Sequence, residues 1–103
     1  MEERNRVLGE TVSDLLSQGK MQAALALLDG LQPADAAEVL ESLPYEERLR
    51  IFKTWDVEES SEALLEMTED GQIEVMQGLA RSLATRMIAE MPPDDAVDLL
   101  ADL

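Results

Sequence analysis

Apolar residues recur along this chain every twelve positions, in a constant phase. From position 31 onward the series is Leu31, Leu43, Trp55, Met67, Leu79, Met91 and Leu103. An apolar pair follows eight and nine residues after each of the first six members, as with Ala63 and Leu64. Twelve residues accommodate a helix of about two and a half turns and a tight turn. Because helices this short cannot bury an apolar face alone, the pattern predicts helices stacked in an array.

The same pattern predicts the elements and the core. Glycine and proline fall near the unit boundaries, and no alternation typical of a strand persists, so we predict an all-α chain. The predicted helices cover residues 6–18, 20–29, 33–42, 45–54, 57–67, 70–78, 80–90 and 93–102. The predicted buried residues are Leu40, Phe52, Leu64, Met76, Ile88 and Leu100. We expect residues 1–103 to form a single domain cut from a longer chain, because Leu103 is the first residue of a new unit.

Composition narrows the possible chemistry. The 103 residues include no cysteine and no histidine, so a thiol nucleophile, a thiolate metal site and the usual general base are excluded. The sequence has no glycine-rich phosphate loop, and we expect no enzymatic activity. No apolar run approaches the length of a membrane span, and the N-terminus lacks the apolar core of a signal peptide. We therefore expect a cytosolic chain without membrane contact of its own.

Negative charge dominates the rest of the composition. The net charge is −15, and residues 29–103 carry −14 of it. A field of this sign repels nucleic acid and anionic lipid, and it attracts cations and basic partners. A purely solubilising surface would have the same composition, so charge alone leaves both interpretations open.

Two rows of carboxylates are candidates for cation binding. Asp94, Asp98 and Asp102 are spaced by four residues, as are Glu58, Glu62 and Glu66. This spacing places each row on one face of a helix. Oxygen ligands without nitrogen or sulfur suit Mg²⁺ or Ca²⁺. Acidic rows are also common on exposed helices, so the spacing does not decide between a metal site and a solvated surface.

The most informative motif is a unit that occurs twice, sixty residues apart. Residues 31–43 align with residues 91–103, and five of the thirteen positions are identical. Each copy places a proline at the start of a predicted helix and an aspartate two residues later, where the helix dipole favours a negative charge. The stretch from Ala24 to Leu43 and the closing stretch from Met91 to Leu103 resemble the cytosolic N-terminal domain of the MgtE family of magnesium transporters and channels.

The resemblance implies a specific architecture and role. It implies a right-handed superhelix (an α-solenoid) of short helices, on the cytoplasmic side of the cell membrane in a homodimeric integral membrane protein. It also implies that Mg²⁺ bound between this domain, the CBS domains and a plug helix stabilises the closed state of the channel. The family's ligands correspond best to Asp94 and Asp98, with Asp95 and Glu59 as further candidates. We expect Mg²⁺ sites in the isolated chain to be weak or partial.

A second resemblance leads to a different expectation. Related helical units occur in the flagellar rotor switch protein, which would make this chain a protein-interaction module without a metal role. The two hypotheses predict different sequences beyond residue 103: CBS domains and membrane spans, or more helical repeats.

Overall fold

The computed structural model describes residues 2–103, with side chains from residue 3 onward, and this part of the chain is helical without strands. Its eight helices are α1 (Glu2–Ser17), α2 (Met21–Asp29), α3 (Pro33–Glu41), α4 (Tyr45–Thr54), α5 (Val57–Leu65), α6 (Glu69–Gly78), α7 (Arg81–Ala89) and α8 (Pro93–Asp102). The predicted all-α class is confirmed. None of these helices is long and apolar enough to cross a membrane.

The first helix differs most from its prediction, because it begins four residues earlier. Its first turn is polar, and contacts with α3 hold it in place. The Asn5 side chain is 2% exposed and donates a hydrogen bond to Asp35 (3.2 Å). The guanidinium of Arg4 forms an ion pair with the same carboxylate (2.9 Å). Hydrophobic periodicity carries no signal for such a turn, since tertiary polar contacts stabilise it.

Alternate helices pack side by side. The first helix packs on α2 and α3, and the odd series then continues from α3 to α5 and from α5 to α7. In the even series α4 packs on α6, and α6 packs on α8. The sequence therefore repeats every twelve residues, whereas the packing repeats every second helix. This order is compatible with a superhelix, and its right-handed sense stays a prediction.

The turns use side chains to satisfy the carbonyl groups that helix ends leave free. Arg48 donates to the carbonyl oxygens of Leu40 (3.1 Å) and Leu43 (3.0 Å). Gln72, two units further along, donates to the carbonyl oxygen of Met67 (3.0 Å) in the same way. These hydrogen bonds fix the direction in which the next helix leaves each turn.

The core follows the predicted phase except in α8. Leu40, Phe52, Leu64 and Met76 are buried as predicted, and Ile88 is partly buried. The prediction for Leu100 is wrong, because its side chain is 54% exposed. The α8 helix packs on α6, and Leu100 lies on its uncovered side. Leu99, the other member of the same apolar pair, is 2% exposed, so the phase still identifies the side of α8 that packs on α6.

Candidate functional site

A groove of about 460 Å³ opens between the N-termini of α3 and α8 and the C-terminal half of α5. Among residues 3–103, three carboxylates line it and no basic residue does. Its apolar wall is formed by prolines, Ala34 and Leu65. The complete lining is Gln32, Pro33, Ala34, Glu62, Leu65, Glu66, Pro92 and Asp95.

Local sequence explains the position of each carboxylate. Glu62 lies within α5 and Glu66 caps its end, so their four-residue spacing places both on one face of the helix. Asp95 lies in the first turn of α8, where Pro93 begins the helix and the dipole favours a negative charge. The groove thus combines an acidic row from one helix with the acidic start of another.

The four residues carried over from the resemblance lie in different places. Asp94, Asp95, Asp98 and Glu59 are all exposed. Asp95 lines the groove, whereas the other three are not among its lining residues. Within residues 2–103 no three carboxylates are arranged closely enough to hold a metal ion directly. The structure therefore does not combine these four residues into one metal centre, and their role as ligands stays a prediction.

Glu59 belongs to a second acidic region, beside the groove. The pKa of its carboxyl group is raised, first by the partial loss of solvation that the surrounding atoms cause and then by the neighbouring charges of Glu62, Asp29, Asp56 and Glu58. These neighbours come from the end of α2, from the N-cap of α5 and from α5 itself. We call these five residues the Glu59 cluster. A cation near the cluster would relieve the repulsion among its carboxylates.

Two members of the Glu59 cluster have structural partners. The Asp56 carboxylate accepts a hydrogen bond from the backbone N–H of Glu59 (3.2 Å), which caps the start of α5. The Asp29 carboxylate accepts a hydrogen bond from the indole N–H of Trp55 (2.7 Å). Trp55 is 5% exposed, so it packs in the core, as its phase predicts. These contacts account for Asp56 and Asp29 without a ligand.

Sequence spacing identified only part of the groove. Glu62 and Glu66 belong to a predicted acidic row, but the row does not indicate that Asp95 lies opposite them. Gln32 gives no signal in the sequence, since its amide lines the groove only because α3 begins there. Tertiary packing brings these residues together, although Gln32 and Asp95 are more than sixty residues apart in the chain.

The donor set of the groove suits a hydrated divalent cation. Carboxylate oxygens are the ligands of hard cations, and Mg²⁺ keeps several of its waters when proteins bind it. Six waters occupy about 180 Å³ at the volume of liquid water, which is less than the volume of the groove. Bridging waters would allow carboxylates from α5 and α8 to share one ion without direct coordination by all three.

Residues 31–103 match the model of the MgtE intracellular N domain. The chain belongs to this family. This match confirms the resemblance to the MgtE family that we based on the repeated unit. It favours that family over the flagellar rotor switch protein. Both copies of the repeated unit lie within the matched residues, so α3, α5 and α8 all belong to the MgtE N domain proper.

One similar protein adds a wider context. The chain is 28% identical over 86 residues to "Magnesium transporter MgtE" of Bacillus subtilis (strain 168). The aligned region covers 84% of this chain and 19% of that transporter, so the chain spans about a fifth of its relative. No solved structure matches the chain.

Proposed function

We propose that this MgtE N domain is the regulatory Mg²⁺-sensing domain of a magnesium transporter or channel. In this proposal the domain lies on the cytoplasmic side of the membrane in a homodimeric transporter. It binds Mg²⁺ together with CBS domains and a plug helix, and the bound ions stabilise the closed state. One observation carries the proposal: within an MgtE N domain, a groove brings carboxylates from α5 and α8 together with no basic residue among them.

Charge supplies the proposed mechanism. The acidic surfaces repel one another, and also any acidic partner surface, when Mg²⁺ is scarce. Bound Mg²⁺ would offset this repulsion and hold the surfaces together. Because a ligand shifts an equilibrium only by its differential affinity for the two states, Mg²⁺ must bind the closed arrangement more tightly. A site completed by a second surface meets this condition, since the domain alone supplies only part of the ligands.

The sensing role is tested in an intact transporter that carries this domain. Asp94→Asn with Asp98→Asn removes two of the predicted ligands while keeping their size. We expect closure to require more Mg²⁺, because the closed state loses coordination. The measurement is open probability against cytosolic Mg²⁺.

The groove is tested separately in the same transporter. Glu62→Gln with Asp95→Asn removes two groove carboxylates, and we expect the same direction of change. Asp14→Asn with Glu46→Gln removes two exposed charges outside the groove and serves as the control. If all three double variants keep the wild-type midpoint, the acidic side chains do not sense Mg²⁺ and the proposal fails. If only Glu62→Gln/Asp95→Asn shifts the Mg²⁺ midpoint, the groove carboxylates sense Mg²⁺ and Asp94 and Asp98 do not.

A further inference from the structure

The start of α3, which forms one wall of the groove, is attached to α1. Residues 32–34 line the groove, whereas Asp35, the next residue, is not among the lining residues and contacts α1 instead. Its carboxylate accepts a hydrogen bond from the Asn5 side chain (3.2 Å) and forms an ion pair with Arg4 (2.9 Å). We call Arg4, Asn5 and Asp35 the α1 clamp. The clamp thus holds the α3 wall one residue away from the groove.

Two features distinguish the α1 clamp from ordinary surface contacts. Of the three ion pairs among residues 3–103, only that of Arg4 with Asp35 joins two helices, since the other two lie within α1. Asn5 is 2% exposed, and burying an amide is costly unless it is hydrogen-bonded. An apolar side chain would fill the same space, but it could not orient Asp35. The polar residue at this position therefore indicates a contact whose geometry matters.

The rest of α1 gives the clamp a fixed base. Val12 and Leu16 are buried in the core, so α1 is anchored well beyond its first turn. Gly9 lies so close to Ser42, directly after α3, that a Cβ atom at position 9 would overlap with the Ser42 hydroxyl group. The first helix therefore contacts α3 near its start and near its end. A neighbour attached at both ends fixes the direction of α3 as well as its position.

We propose that the α1 clamp positions the α3 wall of the groove, so that Arg4 and Asn5 tune Mg²⁺ binding without contacting the ion. A cation held through its waters depends on the spacing of the surfaces around it, and the α3 wall offers the Gln32 amide to those waters. If the wall loosens, fewer chains have the binding geometry and the apparent affinity decreases. Since α1 precedes residues 31–103, a helix outside the matched part of the chain would adjust a site within it. The inference rests on the proposed function of the groove.

The test compares variants of the 103-residue chain that all keep the net charge of −15. Arg4→Ala with Asp35→Ala removes one positive and one negative charge and abolishes the clamp. Asn5→Ala removes only the hydrogen bond and keeps Asp35, so it separates the clamp from the effect of that charge on the helix dipole. Arg6→Ala with Glu10→Ala removes an ion pair inside α1 and is the matched control. Circular dichroism checks that each variant is folded.

The first measurement is amide hydrogen exchange in magnesium-free buffer. The amide of Ala36 donates to the carbonyl oxygen of Gln32 (2.9 Å) in the first turn of α3. We expect its exchange to be about fivefold faster or more in both clamp variants, because the loss of one hydrogen bond shifts a local opening equilibrium by about that factor. The amide of Ser60 donates to Asp56 (2.9 Å) in the first turn of α5, and its exchange rate should stay unchanged.

The second measurement is a Mg²⁺ titration of the groove, followed by NMR at constant ionic strength. We expect the midpoint to rise by about threefold or more in both clamp variants, because only chains with the wall in place bind with full affinity. The control variant should keep the wild-type midpoint and the wild-type exchange rates. A clamp that merely stabilised the fold would lower the melting temperature and leave the midpoint unchanged.

Each other result counts against a different claim. Exchange that becomes faster in all helices alike would overturn the inference, because the clamp would then stabilise the fold as a whole. A wild-type Mg²⁺ midpoint in both clamp variants would also overturn it, and the proposed function of the groove would stand. An equal rise in the control variant would assign the effect to α1 in general and not to the clamp. If the wild-type chain shows no saturable shifts at the groove, the proposed function of the groove fails and the inference fails with it.

Discussion

The two copies of the repeated unit have similar sequences and different surroundings. In residues 31–43, Asp35 forms an ion pair with Arg4, accepts a hydrogen bond from Asn5, and has a side chain only 15% exposed. In residues 91–103, the corresponding Asp95 is exposed and lines a groove with two other carboxylates. The comparison shows that one motif can hold two helices together in its first copy and line a groove with charge in its second copy. Neighbouring helices, and not the motif itself, determine which role it has.

The largest expected difference between the copies is in stability. Leu40→Ala removes a fully buried side chain, so it should lower the free energy of unfolding by about 2–5 kcal/mol. Leu100→Ala removes an exposed side chain at the corresponding position and should change that free energy by less than about 0.5 kcal/mol. Urea unfolding followed by circular dichroism measures both. Equal costs would mean that α8 is covered in solution or that α3 is not.

A smaller difference is expected between the two aspartates. Asp35→Asn weakens a partly exposed ion pair and should cost about 0.5–1 kcal/mol at low salt. Asp95 forms no ion pair with another of residues 3–103, so Asp95→Asn should stay within about 0.5 kcal/mol of wild type. The cost of Asp35→Asn should decrease as NaCl is added, because salt screens exposed charges. A larger cost for Asp95→Asn would contradict the assignment of Asp35 as the structural copy.

The smallest expected effect concerns pH and the Glu59 cluster. The pKa of Glu59 is raised above 4.5 in the folded chain, so the folded state binds the proton more tightly than the unfolded state does. Its contribution to stability must therefore decrease as pH rises from 4.5 through the raised pKa. Glu59→Gln should remove this decrease, because glutamine does not titrate. The difference between the variant and wild-type melting temperatures should therefore change with pH above 4.5. A parallel pair of curves would show that the cluster leaves this carboxyl unperturbed.

The sequence predicts most of the fold, and the reason is physical. Each unit buries its apolar residues at the same positions of the twelve-residue period. That period therefore predicts the eight helices and the burial of residues such as Leu64 and Met76. Asn5 and Leu100 do not follow, because their burial depends on which helix lies beside them. The groove is predictable only in part for the same reason. Spacing identifies Glu62 and Glu66 as one row, but only the folded chain shows that Asp95 lies opposite.

The most direct test of the central claim is a Mg²⁺ titration of the 103-residue chain, followed residue by residue by NMR at constant ionic strength. We predict saturable shifts confined to the N-termini of α3 and α8 and to the C-terminal half of α5. Glu62→Gln with Asp95→Asn should remove these shifts, and Asp14→Asn with Glu46→Gln should keep them. Shifts spread evenly over all acidic residues, and reproduced by NaCl, would contradict a magnesium site in this groove.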